Sequence, residues 1–93
     1  MSITTVYIPC WARWVTQDRD GTIKAWGKKP IQSLPGVSRG MIWDPDYLGT
    51  PIPHPRIEIG IGNPNDDWKK YIRKLTLKEI RTGKVRIKVR NNN

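Results

Sequence analysis

The chain has 93 residues and a mass of 10.8 kDa, room for one domain with one hydrophobic core. Seventeen Lys and Arg stand against eight Asp and Glu, a formal net charge of +9, and the aromatics are five Trp, three Tyr and no Phe. These figures exclude a multidomain enzyme, a disulfide scaffold (Cys10 is the single cysteine) and an acidic nucleic-acid mimic, and no apolar run reaches the length of a membrane helix.

In chain order, residues 3–8 (ITTVYI) are β-branched and aromatic and predict a first strand, stopped at Pro9. Residues 11–17 (WARWVTQ) and 22–26 (TIKAW) flank Asp18-Arg19-Asp20-Gly21, which predicts a hairpin because Gly adopts positive φ cheaply. A loop of two or four residues places Trp11, Arg13, Val15, Gln17, Lys24 and Trp26 on one face. Ala12, Trp14, Thr16, Ile23 and Ala25 then form the other, mostly apolar, core-facing side.

From Lys28 to Pro55 repeated Pro and Gly prevent any long regular element, with Met41-Ile42-Trp43 as an anchor back to the core. Arg56 to Ile61 alternates, setting Ile57, Ile59 and Ile61 on one side of a strand. Asn63-Pro64 with Asp66 and Asp67 resembles a helix start, and Trp68, Ile72 and Leu75 follow at helical spacing. Residues 76–82 admit two readings: a short helix opened by a Thr76–Glu79 capping box and ended by Gly83, or a strand turning at Thr82-Gly83. Residues 84–90 (KVRIKVR) form the clearest strand, with Val85, Ile87 and Val89 inward. The expected fold is α+β: an antiparallel sheet of about four or five strands, one or two helices on one face, a domain over 1–90 and a polar tail at 91–93.

The charge is partitioned. Residues 1–67 carry seven basic and seven acidic side chains, whereas 68–93 carry ten basic ones against Glu79 alone, so the whole +9 lies there. Lys84, Arg86, Lys88 and Arg90 form a row along one strand face, and Lys69, Lys70, Arg73 and Lys74 cluster just before it. Such a row suits a phosphate backbone, where affinity comes from neutralised phosphates and released counterions. The competing reading is a solvated sheet edge protected by its charges. Four like charges without an acidic neighbour repel one another, which favours a polyanion contact.

Trp11, Arg13, Lys24 and Trp26 are a second candidate surface, since rings interleaved with cations stack unpaired bases. In a chain without Phe the Trp residues are needed first as core.

Catalysis and metal binding find little support. His54 is the only His, no Cys or His spacing fits zinc, and the Asp pairs 18/20 and 44/46 are explained by turns. Gly60-Ile61-Gly62 lacks the third glycine of a phosphate loop. No enzyme activity and no cofactor are expected.

The stretch WARWVTQDRDGTIKAWGKKP (11–30), with GNPNDDW (62–68), resembles the Trp-rich hairpin of small phage and prophage accessory proteins. That resemblance covers about a third of the chain. It implies a setting in the host cytoplasm and no mechanism. A start lacking basic and long apolar stretches agrees with a cytoplasmic location. The expected function is a non-enzymatic module that contacts nucleic acid or a ribonucleoprotein. The alternatives are an inhibitor or adaptor docking on an acidic host protein, and a structural phage component.

Overall fold

In the computed structural model, which describes residues 2–32, 43–44, 55–64 and 66–89, the first and last β-branched runs find each other. β1 (Ser2–Tyr7) pairs antiparallel with β8 (Lys84–Val89), Val6 opposite Val85 and Thr4 opposite Ile87. β2 (Trp14–Gln17), β3 (Thr22–Trp26), β6 (Arg56–Ile61) and β7 (Ile72–Lys74) form an antiparallel sheet in the order β6-β3-β2-β7. Of the Pro-rich stretch, β4 (Ile31–Gln32) and β5 (Trp43–Asp44) pair as a short ribbon; Met41, Ile42 and His54 lie outside the described residues. The fold is mostly β, with one short helix among the described residues, α1 (Leu77–Thr82). None of the described helices is long and apolar enough to cross a membrane.

Each face of the four-stranded sheet carries its own cluster. Ile23 and Ala25 on one face pack with Val85 and Ile87 of the β1–β8 ribbon, joined by Ile8, Ala12 and Leu75. Gly60 lets these layers close: a Cβ there would stand 2.6 Å from the Ile87 Cδ1. On the opposite face Trp26 and Trp68 pack with Trp14 and Ile72. The prediction that Trp replaces Phe in the core therefore holds for Trp26 and Trp68, both buried.

The hairpin forms where expected, but its register differs. Asp18 N–H donates to the Thr22 carbonyl (2.8 Å) and Gly21 N–H to the Asp18 carbonyl (3.0 Å), closing a three-residue loop over 19–21 with Gly21 at φ +100°. An odd loop sets Trp14 opposite Trp26 and Thr16 opposite Lys24. Every side chain of β3 thus changes faces relative to the predicted pairing. Trp26 and Lys24 lie with Trp14 and Thr16, across the sheet from Val15.

A second parity change occurs in β6. Ile23 pairs with Gly60 and Lys24 with Glu58, so Ile59 is an extra, bulged residue. The predicted single face of Ile57, Ile59 and Ile61 is thereby broken: Ile59 packs on the core while Ile57 and Ile61 are exposed.

The helix expected from Asn63 onward is replaced by a 3-10 turn (Trp68–Lys70) and edge strand β7. A helix would set Trp68, Ile72 and Leu75 on one stripe. Pairing of Ile72 with Thr16 and Arg73 with Val15 instead sends Trp68 and Ile72 to the Trp cluster and Leu75 to the other core. A helix this short has little intrinsic stability, whereas the strand satisfies the open edge of β2. Among the described residues the first helical turn after Gly62 is the 3-10 turn at Trp68–Lys70, so the phosphate-loop reading of Gly60-Ile61-Gly62 lacks its α-helix.

Residues 76–82 resolve in favour of the helix. The Thr76 hydroxyl accepts from Glu79 N–H (3.2 Å), the Glu79 carboxylate accepts from Thr76 N–H (2.9 Å), and Gly83 closes the helix at φ +68°.

Candidate nucleic-acid interface

β8 alternates as its sequence requires: Val85 and Ile87 are buried, and Lys84, Arg86 and Lys88 are exposed. β7, preceded by the 3-10 turn, is the edge strand of the larger sheet, beside β2. Between β8 and the β2–β7 end of that sheet lies a cleft of about 450 Å³. Lys70 and Arg73 line it from one side and Arg86 and Lys88 from the other, over Val15, Ile23 and Ile87. No Asp or Glu is among the lining residues.

The cations differ in their surroundings. Among the described residues Lys70, Arg86 and Lys88 make no ion pair, and all three are exposed. Arg73 donates both terminal nitrogens to Glu79, at 2.7 and 2.9 Å. This paired hydrogen bonding raises the Arg73 pKa and, with the Thr76 N–H also donating, holds the Glu79 carboxyl down to about 2. Glu79 therefore joins the first turn of α1 to β7 and fixes the direction of Arg73.

The predicted basic cluster is divided by the fold. Lys70, Arg73, Arg86 and Lys88 all line the cleft, Arg86 and Lys88 from the outward side of β8. Lys84 lies at the other end of β8, its ammonium 5.5 Å from the Tyr7 ring. Lys74 pairs in register with Trp14 and belongs to the opposite sheet face from Arg73. Lys69 is exposed on the 3-10 turn without lining the cleft, and Arg90 lies outside the described residues.

The second predicted surface does not form. Trp26 is 0% exposed, donates its indole N–H to the Thr16 hydroxyl at 2.8 Å, and has the Arg56 guanidinium 5.7 Å from its ring. Lys24 is paired with buried Asp18 at 3.0 Å. Arg13 donates to the Cys10 and Ala12 carbonyls, both at 2.7 Å, and Trp11 packs against the main core. The odd hairpin loop is the cause, because it places Lys24 and Trp26 across the sheet from Val15.

One lining residue, Tyr71, escaped the sequence reading. Tyr71 sits in KKYIRK, an aromatic among four cations, the same pattern that drew notice to the hairpin. A helical reading of this segment hid it by giving Tyr71 no side of its own.

Among the described residues no group of three or more His, Cys, Asp or Glu is placed to hold a metal ion. Compared with known proteins, the chain matches no protein-family model, no curated protein and no solved structure.

Proposed function

We propose that this chain is a non-enzymatic binding module that takes a nucleic-acid backbone, free or within a ribonucleoprotein, against the cleft between β7 and β8. The observation that carries this reading is that Lys70, Arg86 and Lys88, with Arg73 held by Glu79, all line one cleft whose lining includes no Asp or Glu. The cations come from two segments 12 or more residues apart in sequence, so no local pattern forces them together. Phosphate oxygens would supply the negative charge that the fold leaves out. The Trp-rich hairpin suits a phage accessory protein acting in a host cell, and that setting belongs to the proposal.

The test is a set of charge-neutralising variants measured against one oligonucleotide at low salt. Lys70→Gln, Arg86→Gln and Lys88→Gln should each weaken binding severalfold, roughly 1 kcal/mol for one phosphate contact. Lys74→Gln and Lys84→Gln, which lie off the cleft, should change it less. Equal effects from all five would mean that overall charge, and no particular cleft, attracts the ligand.

A second reading has its own observation. Ile3 (56% exposed) and Tyr7 (77% exposed) lie on the outer face of the β1–β8 ribbon, a surface suited to docking on an acidic protein. Under that reading Tyr7→Ser would weaken capture of a single partner, and nuclease treatment would leave the capture intact.

A further inference from the structure

Resting on the polyanion reading of the cleft, we infer that its ligand is a single strand, with one unpaired base seated on the Tyr71 ring while Arg86 and Lys88 hold the adjoining phosphates. Tyr71 lines the cleft and remains 42% exposed. Its backbone is fixed on both sides: Tyr71 N–H donates to the Trp68 carbonyl (2.9 Å), and Gln17 N–H donates to the Tyr71 carbonyl (3.0 Å). The backbone that carries the ring is thus tied to the Trp68 turn and to β2, with Lys70 and Ile72 as its sequence neighbours and Arg73 following.

The cleft's dimensions and lining favour a splayed nucleotide over a duplex. A volume of about 450 Å³ with apolar Val15, Ile23 and Ile87 is the size and character of a small-ligand pocket. A duplex presents phosphate ridges and keeps its base faces stacked inside, so it has nothing to place against an apolar floor or an aromatic ring. A single strand offers both a π-face and a flexible backbone, and aromatic side chains within a positive groove are the means by which such strands are held. Arg86 and Lys88 share the outward side of β8, about 7 Å apart along the strand, so one extended backbone can engage both. Arg73, oriented by Glu79, closes the far side.

Electrostatics alone gives the opposite preference, because a duplex has the higher charge density. Preference for single strands is therefore diagnostic. The experiment compares three probes at low ionic strength: oligo(dT) of about ten nucleotides, an abasic oligomer of the same length, and a duplex of similar length. The intact protein should bind oligo(dT) about tenfold more tightly than the abasic oligomer, and more tightly than the duplex. Tyr71→Leu should remove the advantage of oligo(dT) while leaving the abasic affinity unchanged, and Tyr71→Phe should keep it. Equal weakening of both oligomers by Tyr71→Leu, or a duplex bound as tightly as oligo(dT), overturns the single-strand inference but leaves the polyanion reading standing. Failure of all three probes to bind overturns both.

Discussion

Three residues decide local geometry for separate physical reasons. Gly21 holds φ +100°, and a Cβ there would run into the Gly62 carbonyl, whose residue accepts no shift because Gly62 N–H donates to the Gly21 carbonyl at 2.7 Å. Gly21→Ala should therefore destabilise the protein by about 2 kcal/mol or more, read from urea unfolding, against about 1 kcal/mol for Gly83→Ala at the helix end. Asp18 is 2% exposed and paired with Lys24, itself largely covered. Asp18→Ala leaves that ammonium without its carboxylate and should cost about 3 kcal/mol. Equal stability of variant and parent would show that Lys24 escapes to solvent. Glu79 contributes through pH. Its folded pKa, about 2, is depressed from the ordinary 4.5, so its contribution is present above about 4.5 and is lost as pH falls toward 2. Arg73 is about half exposed, which limits the contribution to roughly 1 kcal/mol after solvent screening. Glu79→Gln should show that deficit near pH 7, with the two unfolding curves converging as pH approaches 2.

At the scale of elements, what the sequence discloses depends on how local the deciding interaction is. α1 is legible because its capping box and Gly83 cap are satisfied within the segment itself. Alternation likewise gives β8 its buried Val85 and Ile87, and Arg56–Ile61 its limits as a strand. Parity is decided elsewhere. One loop residue more or fewer reverses β3 against β2, and the bulge at Ile59 does the same within β6; neither leaves a mark in the hydrophobic pattern. Residues 72–74 pair with β2, a contact between residues more than fifty positions apart, which outweighs the helical spacing of Trp68, Ile72 and Leu75. The Trp cluster built by this pairing has a direct test. Trp26 is fully buried with its indole N–H on Thr16, so Trp26→Leu leaves a cavity and an orphaned hydroxyl. A loss of about 3 kcal/mol or more is expected, whereas Trp14→Leu, on a half-buried side chain, should cost less.

For the whole molecule, the +9 confined to residues 68–93 is visible by counting, but which cations act together is not. Lys74 and Lys84 carry the same formal charge as Lys70 and Lys88; only the pairing of β7 at the edge of the larger sheet and the packing of β8 across that sheet separate the two pairs. The most direct test of the cleft as a phosphate site is the salt dependence of oligo(dT) binding for the parent, Arg86→Gln/Lys88→Gln and Lys74→Gln/Lys84→Gln. Each phosphate contact contributes about 0.7 to the slope of log affinity against log salt for a single strand. Removing Arg86 and Lys88 should flatten that slope by about 1.4, with the Lys74/Lys84 variant staying near the parent. Slopes that fall equally in both double variants, or in neither, would contradict a cleft-centred phosphate site.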